Sequence, residues 1–123
     1  MASLNKIEII GNLGTDPQMK IGRGGSPYTT FNVATNYVQH ATEGERKQQT
    51  QWFTVSTWDK LAELCNQHLH KSSTVFVEGR AYLRQWEDSS GNHKAAIEIK
   101  ANRVIFLDKA PKDFNTDEFE DDE

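Results

Sequence analysis

Two kinds of side chain alternate strictly along residues 52–58, whose sequence is Trp-Phe-Thr-Val-Ser-Thr-Trp. Because successive residues of a β-strand point to opposite sides of a sheet, this alternation predicts a strand with two unlike faces. One face suits a packed core and consists of Phe53, Val55 and Thr57. The other face is polar but carries Trp52 and Trp58 at its two ends. A polar face with two large rings is a poor core and a suitable surface for stacking nucleobases.

A second stretch, residues 75–86, repeats this design. Its odd positions from 75 to 83 are small or apolar, and its even positions from residue 80 alternate between cation and ring: Arg80, Tyr82, Arg84 and Trp86. Guanidinium groups neutralise phosphates while neighbouring rings stack on bases, so the pattern predicts binding of single-stranded nucleic acid. A glycine at position 79 predicts a β-bulge inside this strand.

The distribution of charge supports that interpretation once the acidic residues are located. The formal net charge is −4, with 14 basic and 18 acidic side chains, but residues 113–123 hold seven of the acidic ones and no basic one. Residues 1–112 therefore carry a charge of +3. An acidic tail on a basic body is typical of interaction proteins.

The sequence offers few features of other protein classes. A single cysteine, Cys65, allows no internal disulfide and no cysteine-based metal site, so a reducing compartment is expected. The N-terminus does not resemble a signal peptide, and no apolar run approaches the ~20 residues that cross a bilayer. We expect a soluble cytoplasmic protein, associated with the nucleoid, that uses no cofactor or metal and no membrane partner.

The periodicity along the chain predicts an all-β fold with one helix. Five strands are predicted: residues 4–10, a second strand over 19–21 and 28–35 that a hairpin loop interrupts, and residues 52–58, 74–86 and 94–107. The polar residues 37–51 are predicted to form a long exposed loop. An amphipathic helix is predicted after Trp58, with Asp59 as its N-cap. This order is typical of a five-stranded OB-fold barrel with its helix between strands three and four. The residues expected to meet in its core are Phe31, Val33, Phe53, Val55, Val75 and Val77.

Several motifs resemble the bacterial single-stranded DNA-binding protein family. They are Leu4-Asn5-Lys6, Gly11-Asn12-Leu13-Gly14 with Asp16-Pro17, Phe31-Asn32-Val33-Ala34-Thr35, Gln49-Thr50-Gln51-Trp52, Lys60-Leu61-Ala62-Glu63, Val75-Phe76-Val77-Glu78-Gly79 and Trp86-x-Asp88-x-x-Gly91. The resemblance implies a homotetramer, with a dimer as the alternative, that binds single-stranded DNA without sequence preference in replication, recombination or repair. Three tryptophans fall where the family places base-stacking rings, and the predicted DNA-binding residues are Trp52, Trp58, Trp86, Tyr82, Arg80, Arg84, Lys47, Arg46, Tyr37 and Lys6.

The C-terminal residues depart from the family pattern. The family has a long linker rich in Gly, Pro and Gln and then acidic residues that close on Ile-Pro-Phe, whereas this chain reads Asp-Glu-Phe-Glu-Asp-Asp-Glu over residues 117–123. We expect a binding domain over residues 1–108 and a disordered acidic tail over residues 109–123. Recruitment of replication or repair proteins through this tail is therefore not expected.

Two other functions are weighed against DNA binding. An enzyme is not expected, because the histidines, the cysteine and the carboxylates form no recognisable nucleophile–base pair or ligand cluster. An OB-fold module that binds other proteins remains an alternative. Such a module would not explain three tryptophans and a tyrosine interleaved with Arg80 and Arg84.

Overall fold

A computed structural model describes residues 1–40, 44 and 46–108. The predicted tail, residues 109–123, lies outside the described residues. Within the described part, six strands and one α-helix follow in chain order: β1 (Ile7–Leu13), β2 (Gln18–Ile21), β3 (Pro27–His40), β4 (Arg46–Trp58), α1 (Asp59–His68), β5 (Thr74–Glu87) and β6 (His93–Phe106).

Five long strands close into a barrel. The strand order is β1-β5-β6-β4-β3, and a further pairing of β3 with β1 completes the circle. All neighbours are antiparallel except β4 and β6, which are parallel. The short strand β2 pairs with β3 at the edge of the sheet. Among the five barrel strands the helix lies between the third and the fourth, so the predicted all-β OB-fold barrel is confirmed.

The barrel interior is filled by the inward positions of every long strand. The buried apolar side chains are Leu13, Phe31, Val33, Phe53, Val55, Ala62, Cys65, Leu69, Val75, Val77 and Ile99. All six residues predicted for the core are among them. Each fully buried Val, Leu, Ile or Phe contributes about 1.5–3 kcal/mol relative to an exposed one. This core leaves the alternate residues of the same strands facing outward.

Two buried threonines join the helix to the barrel. The Thr57 hydroxyl donates to the carbonyl oxygen of Thr29 at 3.0 Å, and the Thr29 hydroxyl donates to the carbonyl oxygen of Ala62 at 2.8 Å. The predicted N-cap at Asp59 is wrong: Asp59 is the first helical residue, with φ of 56°, and no side chain caps the helix. The positive φ of Asp59 lies at the junction between β4 and α1.

The predicted loop over residues 37–51 is mostly wrong. Strand β3 continues to His40 and β4 begins at Arg46, and their register pairs Tyr37 with Gln49 and His40 with Arg46. The Thr50 hydroxyl also donates to the side chain of Asn36 across the two strands, at 2.7 Å. This ribbon extends beyond the core and is exposed on both faces, so it needs no apolar alternation. The sequence pattern therefore gave no strand signal.

A register shift at Gly79 is confirmed, but the β-bulge predicted inside β5 is wrong, because the extra residue belongs to β6. Gly79 pairs with Ala101 and Glu78 pairs with Arg103, so the extra residue lies on β6, at Asn102. A Cβ added to Gly79 would lie 2.2 Å from the carbonyl oxygen of Lys100. Only glycine allows β6 to approach β5 this closely. The bulge divides the outer surface of β5 into two regions with different neighbours.

Candidate nucleic-acid interface

One outer face of the barrel collects most of the predicted binding residues. Strand register pairs Ser56 of β4 with Lys100 of β6, and pairs Lys100 with Arg80 of β5. Since side chains of paired residues share a face, three strands contribute to one surface. We call it the ring face, and its residues are Trp52, Trp58, Arg80, Tyr82, Arg84, Trp86, Glu98 and Lys100.

The rings of this face are on the surface rather than in the core. Trp52 is 54% exposed, Trp58 40%, Trp86 38% and Tyr82 37%. On β4 the alternate neighbours of Trp52 and Trp58, such as Phe53 and Val55, are buried. Because the closed barrel holds these rings partly exposed, their flat surfaces are accessible in the folded protein. Nucleobases stack on surfaces of this kind.

The ring of Trp52 rests on the turn between β1 and β2. A Cβ added to Gly14 would lie 2.5 Å from the Trp52 ring, so the ring occupies space that any other residue at position 14 would need. The Gly14 amide donates to the carbonyl oxygen of Asn32 at 3.1 Å, which holds the turn against β3. Trp52 therefore has a fixed backbone support on one side.

Trp58 has a second ring beside it that sequence reasoning missed. Register pairs Trp58 directly with Tyr28 of β3. The two rings line an open hollow of about 270 Å³ together with Gly22, Arg23 and Ser26. The sequence predicts a strand at Tyr28, but only the pairing of β3 with β4 shows that this ring faces the same way as Trp58.

Glu98 organises the middle of the ring face. The Tyr82 hydroxyl donates to Glu98 Oε1 at 2.9 Å, and Arg84 Nε donates to Glu98 Oε2. Burial, and then the hydrogen bond to Glu98, raises the pKa of Tyr82 above its usual value. The Arg84 guanidinium also lies 4.1 Å from the centroid of the Trp86 ring. Arg84 and its two ring neighbours are thus fixed in place, but the charge of Arg84 is partly compensated.

Lys100 is the other residue that sequence reasoning missed. Its Nζ lies 5.2 Å from the centroid of the Tyr82 ring and 5.8 Å from that of Trp58, within the range of cation–π attraction. The alternation of residues 97–100 predicts that Lys100 faces outward. What the sequence could not show is that β6 runs between β4 and β5, which puts this lysine among their rings.

The ribbon residues are divided between two faces. Arg46 is in the same alternation phase as Trp52, whereas Tyr37 and Lys47 are in the opposite phase. All three side chains are exposed at the far end of β3 and β4. Their proposed contacts with DNA stay predictions. Because Tyr37 and Lys47 face the other side of the ribbon, a DNA strand would have to pass around the ribbon to reach them.

Lys6 is separated from the ring face. Its Nζ lies 2.7 Å from Glu78 and 3.5 Å from Glu8, and these carboxylates, Glu78 first, raise the pKa of Lys6. Arg103 reaches the same Glu78 carboxylate at 3.5 Å. Beside this network, register aligns Ile10, Phe76 and Ile105 in a row across three strands. We call this surface the β1 face: Lys6, Glu8, Ile10, Phe76, Glu78, Arg103 and Ile105.

Two other kinds of site find no support in the described ranges, 1–40, 44 and 46–108. Within them no group of three or more His, Cys, Asp or Glu side chains is placed to hold a metal ion. None of the helices in these ranges has the length and apolar character that crossing a membrane requires.

Comparisons with known proteins give concordant matches. Residues 4–107 match the model of the single-strand binding protein family. A single-stranded DNA-binding protein 1 from Xylella fastidiosa is 38% identical over 110 residues, which cover 89% of this chain and 81% of the relative. A single-stranded DNA-binding protein from Thermotoga maritima is 33% identical over 138 residues, and the match covers 100% of this chain and 98% of the relative. Among solved structures, the Plasmodium falciparum SSB in complex with ssDNA has a TM-score of 0.75 and 34% identity, covering 88% of this chain and 98% of that one.

Proposed function

This chain belongs to the single-strand binding protein family, and on that premise we propose that it binds single-stranded DNA without sequence preference. The ring face would stack bases on Trp52, Trp58, Tyr82 and Trp86 and contact phosphates through its cations. The proposed role is protection of single strands during replication, recombination or repair. The activity is binding rather than catalysis, and its proposed location is the cytoplasm, with the nucleoid.

One observation carries this proposal: exposed rings and cations from three strands share a single outer face of a closed barrel. Each base has a π-face, so stacking tolerates any sequence and contributes about 1–3 kcal/mol per base. Cations between the rings attract the backbone whatever its sequence. A surface of this kind accounts for binding without readout of base edges.

The decisive experiment is a fluorescence titration with oligo(dT). Stacking on three exposed tryptophans should quench most of the intrinsic emission, and the midpoint should move to higher DNA concentration as salt is raised. Duplex DNA of the same length is the control, since its bases are already stacked. Absence of quenching at low salt would refute the proposal and favour a module that binds only proteins.

Self-association is the second part of the proposal, and the apolar row of the β1 face supports it. Ile10 and Ile105 expose 59% and 37% of their surfaces, and Phe76 lies between them. The ion pairs of Lys6 and Arg103 with Glu78 leave the surroundings of this row nearly neutral, which favours contact between identical surfaces. We propose a homotetramer, with a dimer as the alternative, and sedimentation equilibrium would measure the assembled mass.

A further inference from the structure

Arg80 and Lys100 place two positive charges side by side on the surface of the barrel. The two residues are direct cross-strand partners on the ring face. Like charges in this position destabilise a sheet. In contrast to Lys6, Arg84 and Arg103, neither residue forms an ion pair with a carboxylate among the described residues. Glu98, the nearest acidic residue along β6, is already held by Tyr82 and Arg84.

The surroundings of this cation pair suit a phosphate. Both cations line an open hollow of about 230 Å³, together with Asn5, Ala81 and Tyr82. The Asn5 side chain donates to the Ala81 carbonyl oxygen at 2.7 Å and accepts from the Ala81 amide at 3.0 Å, so the backbone between Arg80 and Tyr82 is fixed. The Tyr82 and Trp58 rings flank Lys100 on its two sides. A phosphate placed here has a base-stacking ring on either side.

We propose that Arg80 and Lys100 form one cradle that holds a single backbone phosphate of the bound strand, between bases stacked on Trp58 and Tyr82. The cradle rests on the proposed function, since its ligand is the DNA backbone. A bound phosphate relieves the repulsion between the two cations. The cradle therefore acts as the central ionic contact of the ring face, ahead of Arg84, whose charge Glu98 partly compensates.

The test is the salt dependence of oligo(dT) binding in Arg80→Met, Lys100→Met and the double variant. Methionine keeps an unbranched apolar stem and removes the charge. Loss of one phosphate contact on a single strand lowers the slope of log K against log salt by about 0.7. If both cations hold the same phosphate, the double variant should lose about 0.7 in total, and Lys100→Arg should keep the wild-type slope. Two independent phosphate contacts would instead lose about 1.4.

Arg103→Met is the matched control, because it removes one positive charge from the β1 face, where Glu78 pairs with it. Its slope should equal that of the wild type. A wild-type slope in the double variant, or a loss of about 1.4 in it, would overturn the cradle. If the wild-type protein itself fails to quench with oligo(dT), the proposed function fails instead.

Thermal unfolding without DNA gives a second readout. Removing either cation abolishes the cross-strand repulsion, so Arg80→Met and Lys100→Met should both unfold at a higher temperature than the wild type. The double variant should gain no more than the better single one. A lower unfolding temperature in both single variants would contradict the repulsion on which the cradle depends.

Discussion

The ring face and the β1 face are built from similar side chains but differ in how charge is compensated. Each face has a guanidinium near a ring: Arg84 lies 4.1 Å from the Trp86 centroid, and Arg103 lies 5.7 Å from that of Phe76. Each guanidinium also pairs with a largely buried carboxylate, Glu98 or Glu78. These guanidinium contacts, one with a ring and one with a carboxylate, do not by themselves distinguish the two faces.

The difference lies in the remaining cations. On the β1 face, Lys6 and Arg103 are matched by Glu8 and Glu78, and the pKa of Glu78 is lowered chiefly by its hydrogen bond with Lys6. On the ring face as defined above, Glu98 is the one carboxylate for Arg80, Arg84 and Lys100. One face is neutral and presents an apolar row, whereas the other is cationic and presents rings. The first suits a copy of the same chain, and the second suits a polyanion.

The largest expected effect comes from Gly79, which lies on β5 between Glu78 of the β1 face and Arg80 of the ring face. Gly79→Ala would place a Cβ 2.2 Å from the Lys100 carbonyl oxygen, so β6 must move away from β5. We expect a loss of about 3 kcal/mol or more in the free energy of unfolding, the upper range for overpacking. Urea unfolding measures it. Gly91→Ala is the control, since nothing lies within 4 Å of its added Cβ and only the cost of a positive φ, about 1 kcal/mol, is expected.

Replacing one ring on each face should separate their functions. Trp58→Ala should weaken oligo(dT) binding by about 1–3 kcal/mol and leave the assembled mass unchanged. Phe76→Ala should lower the assembled mass in sedimentation and leave binding of a short oligo(dT) to each protomer unchanged. The comparison of faces would be wrong if Trp58→Ala unfolded the protein, or if Phe76→Ala reduced DNA affinity as strongly as Trp58→Ala.

Much of this architecture could be predicted from the sequence, because burial imposes a period of two. Phe53 and Val55 alternate with Trp52 and Trp58, and that alternation predicts both the core and the exposed rings. The β3–β4 ribbon was missed for the same reason, since a strand solvated on both sides has no such pattern. The roles of Tyr28 and Lys100 depend on which strands are neighbours. That information is in the barrel topology rather than in any local run of residues.

Glu98→Gln tests whether this carboxylate compensates Arg84. The amide oxygen of the new side chain could still accept the Tyr82 hydroxyl, but Arg84 would lose its counter-charge. We expect the salt slope of oligo(dT) binding to increase by up to about 0.7, and Arg84→Met added to Glu98→Gln should reverse the gain. Glu78→Gln is the matched variant on the β1 face and should leave the slope unchanged. An equal increase in both variants would mean that only net charge matters.

The smallest effect is expected from the acidic residues 113–123. Their seven carboxylates are attached to a body of charge +3 and should be drawn to the cationic ring face rather than to the neutral β1 face. Deleting them should tighten oligo(dT) binding at low salt, because a tethered competitor acts at a millimolar effective concentration. The gain should vanish as the Debye length falls toward ~3 Å at 1 M salt. Equal affinities with and without these residues at low salt would exclude such competition.

The contact between Gly14 and the Trp52 ring has a consequence for sequence evolution. The ring fills the space that a side chain at position 14 would need, so the two positions are coupled although they are 38 positions apart in the chain. A larger residue at position 14 is compatible only with a smaller one at position 52, or with a different path of the turn between β1 and β2. Relatives that lack the tryptophan are therefore free to lose the glycine, whereas a change of the glycine alone displaces the ring. Substitutions at the two positions should be found together.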